Sequence, residues 1–118
     1  MTRRPTREAQ GVKNLITSLR AKGWKCWRIE TRQASGVPDI VAADPDGRLV
    51  WIECKRAIRR KDGGLRHEKM RPAQVAFMAR CIRENVPCAV AIVGGEQALL
   101  FDIDTTDQLK RVAKGSIT

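Results

Sequence analysis

Asp39, Glu53 and Lys55 are the residues of this chain whose types and spacing point most directly to chemistry. Each is charged, and each adjoins a short apolar run, at residues 40–43 or 49–52, that is typical of a β-strand. Burying an unpaired carboxylate costs several kcal/mol, so charged side chains at such positions require compensation. We therefore interpret these three residues as candidates for a functional site.

The predicted strands bring these charges together. Side chains two residues apart on a strand point to the same face, so Glu53 and Lys55 are expected to project together. The Asp-Pro-Asp-Gly sequence at 44–47 predicts a hairpin turn, which makes the two strands neighbours. Asp39 is therefore expected to approach Glu53.

Paired carboxylates favour a bound cation. Two such groups about 4 Å apart repel by about 4 kcal/mol at an effective dielectric near 20, so both stay ionised only beside positive charge. Oxygen ligands without histidine suit Mg²⁺ or Mn²⁺, and the main-chain carbonyl of Cys54 is a further expected ligand. Lys55 beside a metal-activated water would orient it or neutralise charge on a phosphate. The chemistry indicated is phosphodiester hydrolysis.

Two more polar residues extend the apolar faces of predicted helices. Glu8 precedes Val12 by one helical turn, and Gln74 precedes Phe77 and Met78 by three and four residues. Acids are favoured in the first turn of any helix by the helix dipole, and polar side chains there commonly bind free backbone groups. The alternative for both residues is thus a purely local role.

The remaining pattern predicts one α/β domain spanning residues 1–118. Its predicted elements, in chain order, are a helix at 8–21, strands at 24–31, 39–43 and 49–55, a helix at 72–84, strands at 88–93 and 98–102, and a short final helix to residue 112. The charged, glycine-containing segment 56–71 is predicted to be a mobile basic loop, with His67 solvated in it.

Lysine and arginine number 23 against 13 acidic residues, which gives a net charge of +10. Such an excess, concentrated in the N-terminal arm 1–7 and the segment 56–71, favours nucleic acid as the partner. A membrane-surface protein would instead need a basic amphipathic helix, and the sequence has none. Aromatic residues make up only 4% of the chain, which disfavours a base-stacking platform for single strands.

The four cysteines are far apart in apolar stretches, and the chain has a single histidine. This pattern argues against a structural zinc site or a disulfide framework and predicts buried, reduced thiols. No apolar stretch approaches the roughly 20 residues of a membrane span, and residues 1–5 lack the apolar core of a signal peptide. We therefore expect no membrane partner and a cytoplasmic location.

Four parts of the sequence together carry a family resemblance. Glu8, the segment Gly-Val-Pro-Asp at 36–39, the segment Ile-Glu-Cys-Lys at 52–55, and Gln74 resemble the PD-(D/E)XK nuclease superfamily, and most closely its VRR-NUC group, over residues 8–93. The resemblance implies a restriction-endonuclease-like core, in which helices flank a mixed central sheet of about five strands.

The same resemblance implies roles for the residues. Asp39, Glu53 and Lys55 would be catalytic, Glu8 would assist the metal site, and Gln74 would lie near the nucleophile or the substrate. Stand-alone members are similar to Holliday-junction resolvases that act as homodimers, in bacterial or phage-infected cells. A DNA four-way junction is therefore the first expected substrate.

Several alternatives stay open. A Glu-x-Lys pair is commonly a solvated pair on an exposed strand, although apolar Leu49 and Trp51 share its predicted face, and Asp39 could merely close a turn after Pro38. A nuclease for flaps, nicks or ordinary duplex would use the same residues. A basic DNA-binding module without turnover is the alternative from another class. Trp24, Trp27 and the final strand could form a dimer interface or ordinary core.

Overall fold

The computed structural model describes residues 7–29, 36–62, 65–94 and 97–116; the side chains of Arg7, Glu8 and Leu65 are not described. The predicted basic arm therefore lies outside the described residues, apart from the backbone of Arg7. The elements are α1 (Arg7–Ala21), β1 (Lys25–Arg28), β2 (Ile40–Ala43), β3 (Leu49–Arg59), β4 (Leu65–His67), α2 (Pro72–Arg83), β5 (Cys88–Gly94), β6 (Gln97–Asp102) and α3 (Thr106–Ala113).

The strands form one mixed open sheet in the order β1-β2-β3-β5-β6, with β4 paired to the far end of β3. The pairs β1–β2, β2–β3 and β5–β6 are antiparallel, whereas β3 and β5 run parallel. The parallel pair requires a crossover, and α2 provides it. The predicted α/β class and the meander of the first three strands are confirmed.

The turn between β2 and β3 follows the chemistry of its sequence. The Asp44 side chain accepts hydrogen bonds from the backbone N–H groups of Asp46 (3.0 Å) and Arg48 (2.9 Å). Gly47 adopts φ +84°, a conformation that other residues rarely take. This turn fixes the register that places Ile40 opposite Ile52.

Helices cover both faces of the sheet. On one face, the buried residues of α1 (Val12, Leu15, Ile16 and Leu19) pack against alternate residues of β1, β2, β3 and β5. On the other face, α2 and α3 pack against β5, and the Phe77 ring meets Trp51 of β3 edge to face at 5.2 Å. Because β5 is buried on both faces, its sequence is the continuous apolar run that predicted a central strand.

The segment 56–71, predicted to be a mobile loop, is largely ordered as a β-hairpin. The strand β3 continues to Arg59, and Ala57 pairs with His67 of β4; residues 63 and 64 lie outside the description. His67 is only 2% exposed, so the prediction of a solvated histidine was wrong. A residue far away in the sequence stabilises the hairpin, because the backbone N–H of His67 donates to the carbonyl of Gly115 at 3.2 Å.

All four cysteines are buried, as their apolar neighbours predicted. Burial and, to a smaller extent, the nearby Cys81 raise the pKa of the Cys88 thiol to about 12. The Cys88 thiol is therefore protonated at neutral pH and acts as a small apolar side chain. In the part of the chain that the structure describes, no helix combines the length and apolar content needed to cross a bilayer.

Candidate functional site

Asp39 joins the end of β1 to the middle of β3. Its main-chain carbonyl accepts from the backbone N–H of Ile29 at 2.8 Å, and its carboxylate Oδ2 accepts from the backbone N–H of Cys54, also at 2.8 Å. The Asp39 carboxylate is thereby fixed beside the Glu53–Cys54 peptide of β3. Asp39 does lie between Pro38 and the start of β2, as the alternative of a turn residue requires. Its side chain nevertheless points to the neighbouring strand β3, as the predicted site requires.

Glu53 lies at the centre of the sheet and is only 2% exposed. Its Oε1 atom accepts a hydrogen bond from the side-chain amide of Gln74 at 2.8 Å. Its other oxygen, Oε2, is buried and has no hydrogen-bond partner among the described residues. The Asp39 carboxyl lies close enough to interact with that of Glu53 and to raise its pKa, so two acidic side chains adjoin at this point.

Lys55 projects from the same face of β3 and is 7% exposed. Its ammonium Nζ donates to Gln74 Oε1 at 2.7 Å and lies 3.8 Å from Glu53 Oε1. The pair formed by Glu53 and Lys55 is therefore buried. This burial contradicts the alternative of a solvated Glu-x-Lys pair on an exposed strand.

Gln74 links these groups from the first turn of α2. Its Oε1 accepts from Lys55 Nζ and from the backbone N–H of Arg71 at 2.9 Å, while its Nε2 donates to Glu53. An ammonium and an N–H group can only donate, so the contacts fix which end of the amide is oxygen. Gln74 thus caps the start of its helix and also links Lys55 to Glu53.

Gly36 connects the Asp39 segment to the same helical turn. It is buried and adopts φ +90°, and a Cβ atom at this position would lie 2.4 Å from the carbonyl oxygen of Ala73. Both conditions exclude a larger residue without displacement of the backbone. The close contact between residue 36 and the first turn of α2 therefore aligns Asp39 with Gln74.

The electrostatics of the cluster centre on Glu53. Burial and, to a smaller extent, the neighbouring Asp39 together raise the pKa of its carboxyl to about 8, although Lys55 and Arg71 act in the opposite direction. Without additional positive charge, Glu53 is mainly protonated at neutral pH. Arg71, an exposed residue at the start of α2, was not among the predicted site residues. The feature of the sequence that indicates its place is its position directly before Pro72, which begins the helix.

The donor set fits a hard divalent cation. Asp39 and Glu53 provide carboxylate oxygens, and the described residues supply no donor to Glu53 Oε2. Positive charge would return the pKa of Glu53 to the acidic range. No group of three His, Cys, Asp or Glu side chains that could hold a metal occurs among the described residues. Glu8, the third predicted acidic ligand, lies in the first turn of α1, but its side chain is not described.

The comparisons with known proteins add no relative. A scan against models of protein families gives no match to this chain, and a search of curated proteins gives no significant match. The function is therefore inferred from the fold and from the geometry of the site.

Proposed function

We propose that this protein is a metal-dependent DNA endonuclease with a restriction-endonuclease-like core, similar to the VRR-NUC group of PD-(D/E)XK nucleases. One observation carries the proposal. Asp39, Glu53, Lys55 and Gln74 converge on one face of the sheet, and a buried carboxylate oxygen of Glu53 has no hydrogen-bond partner within the described part of the chain. Such an arrangement is costly for stability alone, since an unsatisfied buried oxygen costs about 1–3 kcal/mol.

The ligands of Mg²⁺ or Mn²⁺ would be the carboxylates of Asp39, Glu53 and Glu8, together with the main-chain carbonyl of Cys54. When bound, such an ion supplies a Lewis acid and lowers the pKa of a coordinated water. The hydrogen bond from the Cys54 N–H to Asp39 Oδ2 holds that carboxylate in place beside Glu53. Positive charge between the two carboxylates removes their mutual repulsion.

The lysine and the glutamine act as a unit. Gln74 accepts from Lys55 and donates to Glu53, so it holds the ammonium at the site without neutralising it. A lysine kept in this position can orient the attacking water or stabilise the negative charge that develops on the phosphate. Gln74 is therefore a positioning residue in this proposal, whereas Lys55 faces the reacting atoms.

The charge balance favours DNA as the substrate. A net charge of +10 suits a polyanion. The exposed Arg71 lies close enough to Glu53 to affect its ionisation, and a phosphate bound at the site would lie beside this arginine. Nothing in the sequence resembles a base-reading module such as a helix-turn-helix or a zinc finger, so we propose selectivity for branched DNA, with a four-way junction as the first candidate. Two symmetric incisions would require a homodimer, and Trp27, half exposed on the edge strand β1, is a candidate interface residue. The proposed location is the cytoplasm of a bacterial or phage-infected cell.

A substrate panel tests the proposal. Purified protein is incubated with labelled four-way junction, flap and linear duplex in the presence of Mg²⁺, Mn²⁺ or EDTA. We expect cleavage of the junction with metal only, loss of cleavage with retained binding in Asp39→Asn, and normal cleavage in the exposed-turn control Asp46→Asn. Binding without cleavage under either metal would refute the nuclease and favour a non-catalytic DNA-binding module. Equal cleavage of all three substrates would refute only the junction preference.

A further inference from the structure

The hairpin formed by β3 and β4 lies next to the proposed catalytic residues, on the same edge of β3 as Asp39. Backbone N–H groups two residues apart on a strand point to the same side. The N–H of Cys54 donates to the Asp39 carboxylate at 2.8 Å, and the N–H of Arg56 donates to the carboxylate of Glu68, directly after β4, at 2.9 Å. Residues 53–56 of β3 therefore face a gap between β2 and β4.

Beyond this gap the hairpin leaves the sheet. The pairing of β3 with β2 reaches Ile52, and its pairing with β5 reaches Arg56. Among the described strands, only β4 pairs with the following residues 57–59. The two strands thus form a ribbon that projects from the sheet beside the site. We call residues 56–62 and 66–69 the basic hairpin.

Contacts with the end of the chain hold the base of the basic hairpin. The N–H of Met70 donates to the carbonyl of Ala113 at 3.1 Å, close to the hydrogen bond between His67 and Gly115. The side chains of His67 and Met70 are buried. The ribbon is therefore ordered before any partner binds, and binding through it would lose little conformational entropy.

The basic hairpin carries positive charge on both of its faces. Alternation along β3 puts Arg59 on the face of Glu53 and Lys55, whereas Arg66 pairs with Ile58 and so lies on the opposite face. Neither arginine has an ion-pair partner in the described part of the chain. Against the two acidic residues Asp62 and Glu68, the basic hairpin has six exposed basic residues: Arg56, Arg59, Arg60, Lys61, Arg66 and Lys69.

The major groove of duplex DNA fits this distribution of charge. The groove is about 12 Å wide and admits a two-stranded β-ribbon, and a phosphate backbone borders it on each side. A ribbon with cations on both faces can contact both backbones at once, whereas a flat anionic surface would meet one face only. A strand rises about 3.3 Å per residue, so Arg59 lies about 13 Å along β3 from Lys55, which equals about four base-pair steps.

We propose that the basic hairpin enters the major groove of the duplex next to the cleavage site, about four base pairs from the cut bond, with Arg59 and Arg66 contacting phosphates of opposite strands. The choice of DNA and the position of the cut rest on the proposed nuclease function, but the basic hairpin includes none of the proposed catalytic residues. Contacts to phosphates position a duplex without reading its sequence. The substrate then needs paired bases on one side of the cut, which an arm of a four-way junction provides.

Binding measured in EDTA tests the two arginines without requiring cleavage. Arg59→Gln, Arg66→Gln and the double variant are titrated with labelled duplex at several salt concentrations. Each lost phosphate contact lowers the slope of log K against log salt by about 1, so we expect the double variant to lose about 2. The matched control is Lys25→Gln, which alters an exposed lysine of β1 and should bind as the wild type does. Lys25 pairs with Ala43, which pairs with Leu49 at the end of β3 opposite to the basic hairpin.

Filling each groove separately tests where the basic hairpin binds. A duplex whose cytosines carry glucosylated hydroxymethyl groups has a filled major groove, and netropsin fills the minor groove of an unmodified duplex. We expect the glucosyl groups to weaken binding in EDTA by at least about tenfold and netropsin to leave it unchanged. A single glucosyl group about four base pairs from the cut should weaken binding more than one at the far end of the duplex.

Three results would overturn the inference. They are a salt slope that the double variant does not change, binding that the filled major groove does not weaken, and a single strand bound as tightly as the duplex. A protein that cuts DNA but binds it without these arginines would refute only the present inference. Arginine-dependent binding without cleavage under any metal would refute the nuclease proposal and leave the basic hairpin as the contact with DNA.

Discussion

Glu53→Gln should make the metal-free protein more stable at neutral and alkaline pH while it abolishes cleavage. The substitution removes a carboxylate that is buried beside Asp39 and keeps nearly the same side-chain shape. The oxygen of the introduced amide can still accept from Gln74. Its nitrogen takes the place of Oε2, which has no hydrogen-bond partner among the described residues, and can donate towards Asp39.

The size of the effect follows from the pKa of Glu53, which is about 8 in the folded protein against an ordinary value of 4.5. Between these two values the unfolded chain binds fewer protons than the folded protein, so the free energy of unfolding falls as the pH rises. At about 1.4 kcal/mol per pH step, a change from about pH 5 to about pH 7.5 removes about 3 kcal/mol. This is a large fraction of the roughly 5–15 kcal/mol that stabilises a typical domain.

The assay is urea unfolding in EDTA at several pH values, with thermal melts as a check. We expect the wild-type protein to lose about 3 kcal/mol over this range, or about 10 °C in Tm, and Glu53→Gln to lose far less. Glu84→Gln, which alters a half-exposed carboxylate, is the matched control and should follow the wild type. If wild type and Glu53→Gln respond to pH with the same slope, Glu53 is ionised at ordinary pH in the folded protein and the electrostatic argument fails.

Three substitutions and one labelling experiment test the site and the core that supports it. Gln74→Leu removes two buried hydrogen bonds, to Lys55 and to Glu53, and should lower the cleavage rate by about 100-fold while DNA binding in EDTA is unchanged. A loss of DNA binding as well would contradict a positioning role for Gln74. Lys55→Met keeps the apolar stem of the side chain and should reduce single-turnover cleavage by about 100-fold or more; a change confined to KM would contradict its role beside the reacting atoms. Gly36→Ala should cost more free energy of unfolding, by at least about 1 kcal/mol, than Gly47→Ala, because both glycines have positive φ but only residue 36 faces a backbone collision. The buried thiol of Cys88, with its pKa raised to about 12, should react with a disulfide reagent only after unfolding, so rapid labelling of the native protein would refute its burial.

The sequence predicted the framework of the site because that information is local. Alternation along β3 gave Glu53 and Lys55 a common face, and the Asp-Pro-Asp-Gly turn fixed the neighbour that carries Asp39. Helical spacing placed Gln74 in the first turn of α2. None of these steps required knowledge of contacts between distant segments.

The features that the sequence did not predict depend on such distant contacts. Charged residues and two glycines made 56–71 resemble a loop, but Ala57 and His67 pair in a β-hairpin. The carbonyl of Gly115, far away in the sequence, accepts a hydrogen bond from the backbone of His67 and so stabilises this hairpin. The burial of His67 follows from that support. In the same way, the need for glycine at position 36 becomes apparent only when Ala73 is seen against it.

The position of β3 has a consequence for how DNA would be selected. This strand carries Glu53 and Lys55 and is hydrogen-bonded to β2 on one side and to β5 on the other, while the Gly36 contact fixes the helix above it. A strand that is hydrogen-bonded on both sides is expected to change shape less than the DNA that binds beside it. The DNA would have to deform instead, and the free energy of bending or unstacking would then differ between a continuous duplex and a branch point. On the proposed function, discrimination between substrates would arise from the flexibility of the nucleic acid and not from residues that read its bases in sequence.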